Sequence, residues 1–108
     1  MRDKLEDLIE RITKFRSERN WDGNLKDLAI STILEASELL EIFQWVPEEE
    51  LDELRVDQIE DIKDELADVF VYLIAICNKL NIDFYEAVVN KIEKTAKRYP
   101  ADKVGRGG

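Results

Sequence analysis

The chain has 108 residues, 25 acidic against 16 basic, no histidine, a single cysteine and a formal net charge of −9. That length supports one core rather than two. The charge argues against a nucleic-acid polymer or an anionic membrane as main partner, and one cysteine rules out a disulfide within the chain. No run reaches the 18 or more apolar residues of a membrane span, and the start, Met1 to Glu6, lacks the apolar stretch that export requires, so a reducing, cytoplasmic location is expected.

In chain order, Leu5, Leu8, Ile9, Ile12 and Phe15 recur at helical spacing and predict an amphipathic first helix from about Asp3 to Asn20. Asp22-Gly23-Asn24 breaks it, with Asn24 placed to cap the next helix. This second helix, about Leu25 to Trp45, carries apolar residues around nearly its whole circumference, from Leu28, Ala29 and Ile30 to Leu39, Leu40, Ile42 and Phe43. Such a helix is expected to be buried on most sides. Pro47 stops it, and Glu48 to Asp57 reads as a loop or short surface helix whose acids are solvated.

The third helix, about Val56 to Leu80, sets Ile59, Ile62, Leu66, Val69, Leu73, Ile76 and Leu80 on a three-four repeat. Against them runs a polar stripe of Asp61, Glu65, Asp68 and Tyr72. Cys77 falls within the apolar run and is expected as a small core residue rather than a nucleophile. Asn81-Ile82-Asp83 ends this helix, Asp83 and Glu86 form a capping box for a fourth, about Phe84 to Lys97, and Tyr99-Pro100 closes it. No alternating strand pattern occurs, so the expected fold is all-α: one domain of four main helices over 1–100, with a Gly-rich tail, 101–108, expected to be mobile. Two helices apolar on most sides exceed what so short a chain can cover, which predicts an obligate oligomer.

Two acidic pairs interrupt the most apolar helices, Glu35-x-x-Glu38 and Glu65-x-x-Asp68. Residues three apart on a helix lie about 60° apart around its axis and project from one face. Carboxylates converging between packed helices are costly without a counter-charge, and an all-oxygen set suits Mg²⁺, with Mn²⁺ the second choice.

These pairs, separated by 26 residues, are joined by Phe15-x-x-Glu18-Arg19-x-Trp21, Glu38-Leu39-x-Glu41-x-Phe43-Gln44-Trp45, Asp64-Glu65-Leu66-Ala67-Asp68-Val69 with Tyr72, and Lys91-x-x-Lys94-x-x-x-Arg98-Tyr99-Pro100. The ordered set resembles the all-α MazG-type nucleoside triphosphate pyrophosphohydrolases, in particular their dCTP pyrophosphatase branch, over about Phe15 to Pro100. The resemblance implies Mg²⁺ held by Glu35, Glu38, Glu65 and Asp68, and hydrolysis of a nucleoside triphosphate to the monophosphate and pyrophosphate in nucleotide-pool house-cleaning. Glu38, or failing it Glu35, would orient the attacking water. Trp21, Trp45 and Tyr72 match positions that hold the nucleoside, and Lys26, Lys91, Lys94 and Arg98 are candidates for the triphosphate. It also implies pairing of two subunits and assembly to a homotetramer, with a dimer as second expectation.

The chain departs from those relatives where a substrate-side histidine often stands: it has Ile12 and Gly23 there, and its loop reads Gly23-Asn24-Leu25-Lys26-Asp27. Ser37 replaces the glycine between the first two acids. Base and sugar specificity therefore stay open within the reaction class. An all-α dUTPase and a phosphoribosyl-ATP pyrophosphohydrolase share the chemistry. A non-catalytic helical interaction module would share the stripes and lack affinity for the cation. A carboxylate-bridged di-iron bundle needs Glu-x-x-His pairs that this chain does not have.

Overall fold

A computed structural model describes residues 3–101, and over that span the fold is all-α. Four helices occur in order: α1 Lys4–Glu18, α2 Leu25–Gln44, α3 Val56–Leu80 and α4 Phe84–Arg98, with a 3₁₀ turn at Glu48–Glu50 between α2 and α3. The expected tail beyond residue 101 lies outside the described residues.

The boundaries are set by local chemistry. Asp3, Asn24 and Asp83 cap α1, α2 and α4, each accepting from a backbone amide three residues on at 2.8, 2.8 and 3.0 Å. At the start of α3 it is Gln58 Oε1 that accepts from the Arg55 amide, at 2.8 Å. Two asparagines in the left-handed region end α1 and α3: Asn20 and Asn81, both with φ 54°. Behind each, a backbone amide reaches five residues back, Trp21 to the Arg16 carbonyl at 3.0 Å and Ile82 to the Cys77 carbonyl at 2.9 Å.

Packing is centred on α3, which packs most extensively against α2 and also takes α1. The buried residues, Ile12 from α1, Leu28 from α2 and Ile74 and Ala75 from α3, mark the junction of these three helices, with Ile74 at 0% exposure. Cys77 is half-buried there, and burial pushes its thiol pKa up, as befits a core residue. The turn into α4 is pinned by Phe84, whose ring meets Phe70 edge-on at 5.6 Å between centroids.

The second helix corrects the expectation of burial on most sides. Its face toward α3 is covered, but Ile33 is 68% and Leu40 61% exposed. On α4, Ile92 is 62% exposed and Tyr85 and Val88 are also open. One chain provides a single wall for α2, and the radius of gyration, 17.0 Å, exceeds the roughly 13 Å of a closed domain of this size.

Candidate active site and metal centre

The pairing of α2 with α3 is antiparallel, since Glu38, Glu41 and Ile42 line one cleft with Asp61, Asp64 and Glu65, whereas Glu35, earlier on α2, meets Glu65 and feels the charge of Asp68, later on α3. This register brings the two acidic pairs together. Carboxylate oxygens of Glu35, Glu38 and Glu65 lie within 4.8 Å of one another. Asp68, one helical turn further on, falls outside that triad, but its charge is felt at Glu35.

Glu35 and Glu65 each carry one oxygen, Oε2, sealed from solvent with no hydrogen-bond partner among the described residues. A buried acceptor without a donor costs free energy and calls for an explanation. Burial is the leading cause of the raised pKa at both residues. Close carboxyl contacts and the charges of Glu38 and its neighbours add to it, and Glu65 is pushed up to about 7. The chain has 16 lysines and arginines, yet among the described residues none forms an ion pair with these acids. The donor set is all oxygen, with two acceptors left without a donor, so the residues present fit a hard divalent cation.

Glu38 is solvent-exposed, unlike the other two. It opens onto a cleft of about 370 Å³ whose other acids are Glu41, Asp61, Asp64 and Glu65. A separate cavity of about 520 Å³ is lined by Phe15, Trp21 and Tyr72, by Ile12 and Val71, and by Arg11, Arg16 and Asp68. Asp68 thus stands between the carboxylate triad and an aromatic pocket. Trp21 is held there by the backbone turn after α1 and by its edge-on contact with Phe15, 5.6 Å between centroids. The guanidinium of Arg19 lies 3.7 Å from the centre of the Phe15 ring and so supports this wall.

A profile of the MazG-like family matches residues 30–106. The chain belongs to the MazG-like family. It is 32% identical over 100 residues to dCTP pyrophosphatase 1 of Bos taurus, covering 89% of this chain and 59% of that one. With dCTP pyrophosphatase 1 of Homo sapiens it is 32% identical over 101 residues, with 90% and 59% covered. The chain therefore spans about three fifths of the length of these curated relatives. Its fold is also that of a pyrophosphatase of Archaeoglobus fulgidus solved by crystallography, with a TM-score of 0.83 at 36% identity, covering 93% of this chain and 95% of that one.

In this MazG-like chain the structure brings Glu35, Glu38 and Glu65 together and sets Asp68, Trp21 and Tyr72 around one cavity. Lys26, Trp45, Lys91, Lys94 and Arg98 do not line that cavity. Trp45 caps the end of α2 and is 82% exposed, and Arg98 sits at the end of α4 over the Tyr99 ring, 5.4 Å from its centre. Ser37 turns its hydroxyl back to the Leu34 carbonyl at 2.7 Å, within its own helix. Arg16 was not legible as a site residue. Its only sequence signal is the spacing of four from Ile12, which puts both on the face of α1 that lines the pocket.

Proposed function

We propose that this chain is a Mg²⁺-dependent nucleoside triphosphate pyrophosphohydrolase that converts a nucleoside triphosphate and water to the monophosphate and pyrophosphate. The observation that carries the reading is the triad of Glu35, Glu38 and Glu65, in which Glu35 and Glu65 each keep a sealed oxygen without a partner, joined through Asp68 to an aromatic pocket of nucleoside size. The names of the relatives support the same class, and dCTP is the substrate to test first.

Glu35, Glu65 and Asp68, with Glu38, would hold the cation. When bound, it neutralises charge on the triphosphate and on the leaving pyrophosphate and acidifies water. The protein's own part is orientation. Trp21 and Tyr72 offer flat faces to a base, and such faces stack on any base. Glu38, exposed where Glu35 and Glu65 have sealed oxygens, is the carboxylate best placed to orient a water or take its proton, with Glu35 second.

The open apolar faces of α2 and α4 support assembly to a tetramer, or to a dimer as the smaller alternative. In such an assembly Trp45, Lys26, Lys91, Lys94 and Arg98 would complete a pocket that one chain leaves open. The test is incubation with Mg²⁺ and each common nucleoside triphosphate, with identification of the products. Monophosphate and pyrophosphate are expected. Diphosphate with inorganic phosphate would overturn the reading, and so would the absence of turnover with every nucleotide.

A further inference from the structure

Two arginines line the aromatic cavity, and they differ in what holds them. Arg11 Nε donates to Asp7 Oδ2 at 2.8 Å, so its fork is engaged. The guanidinium of Arg16 lies 5.8 Å from the centre of the Tyr72 ring and makes no ion pair among the described residues. Asp22, whose carboxylate feels the Arg16 charge, is already held by Lys79 Nζ at 2.8 Å. Arg16 therefore presents unused donors at the cavity wall.

Its position fixes what those donors can meet. Tyr72 lies seven residues beyond Glu65 on α3, about 10 Å along the helix axis at 1.5 Å per residue. If the triphosphate is at the acids, the base extends toward Tyr72 and Arg16. A guanidinium has five N–H donors in a planar fork and no acceptor, so it pairs best with two adjacent acceptors on one edge. Cytosine presents O2 beside N3, and guanine presents O6 beside N7. Uracil and thymine interpose an N3–H between their carbonyls, and adenine sets an amino group beside N1 and N7.

We propose that Arg16 is a specificity-determining residue that reads the base edge, favouring nucleotides whose base offers two adjacent acceptors. The proposal deepens the pyrophosphohydrolase reading and rests on its placement of the triphosphate. The backbone at residue 16 is needed for the Trp21 turn, since its carbonyl accepts the Trp21 amide, but replacing the side chain leaves that bond intact.

The experiment compares wild type, R16M and R16K in kcat/KM with dCTP, dGTP, dTTP and dATP at saturating Mg²⁺. Wild type should favour dCTP or dGTP, and these two arms distinguish cytosine from guanine. Both variants should lose roughly 10- to 100-fold on the favoured substrate, as expected for loss of a bidentate base contact, with little change on dTTP and dATP. Equal losses on all four substrates, or rescue by lysine, would assign Arg16 to the phosphates and overturn the proposal. Wild-type preference for dTTP or dATP would also overturn it. Calorimetric titration with the four nucleoside monophosphates, without metal, reads the same ranking independently of turnover. Selective binding lost in R16M by a wild type that hydrolyses nothing would uphold Arg16 and sink the hydrolase reading. Hydrolysis with an unchanged ranking in R16M would do the reverse.

Discussion

The α2–α3 seam and the far end of α3 both place carboxylates against the same helix, and they treat them oppositely. At the far end Asp22 accepts from Lys79 at 2.8 Å, and that bond, with the lysine's charge, lowers its pKa. At the seam Glu35 and Glu65 have sealed, unpartnered oxygens and raised pKa values. The chain has basic residues to spare, so the difference is one of placement. The far-end carboxylate is paired by a lysine, whereas at the seam two carboxylate oxygens have no partner among the described residues.

The largest expected effect comes from that contrast. Glu38→Ala or Asp68→Ala should lower kcat by about 10² or more, the scale of losing oriented electrostatic stabilisation, while Asp22→Ala should stay within a few-fold of wild type. A pyrophosphate-release assay checks all three, and equal losses at seam and far end would erase the distinction.

Next is metal-linked stability. A cation bound at 100 times its Kd adds about 2.7 kcal/mol to the folded state, so thermal melts should shift upward with Mg²⁺ in wild type. Glu65→Gln should reduce that shift and raise the metal-free melting temperature by relieving repulsion. A Mg²⁺ response that survives in Glu65→Gln and in Glu35→Gln would place the cation elsewhere.

The pH dependence is smaller and has opposite sign at the two places. Glu65 moves from an ordinary value of 4.5 to about 7 in the fold. Between those values the folded state holds more protons than the unfolded one, so metal-free stability should fall as pH rises through that window. Asp22 has a lowered value, so its contribution is present above the ordinary carboxylate pKa and fades as pH drops through the folded value. Melts of metal-free wild type from pH 4 to 8 should show the first trend and Glu65→Gln should flatten it. A flat wild-type profile would contradict the assignment. Smallest of all is Lys79→Ala, which removes a surface pair and should leave the melting temperature nearly unchanged. A large drop there would mean that the far-end pair carries the junction of α1 and α3.

Much of this molecule was written in local sequence. Asp3, Asn24 and Asp83 mark helix starts, Asn20 and Asn81 mark ends, and the spacing of three in each acidic pair sets two carboxylates on one face, because each is decided within a few residues along one chain segment. The α2 pattern also showed that this helix needs cover all round, though not that α3 covers only one side. Tertiary structure alone decided the rest. The antiparallel register of α2 on α3 gathered Glu35, Glu38 and Glu65 while leaving Asp68 at the margin, and the crossing of α1 carried Arg16 onto Tyr72. Periodicity fixes which way a side chain leaves its own helix. Which residue it meets depends on how far one helix slides along another, a quantity set by side-chain packing across the whole interface and recorded in no single stretch of sequence.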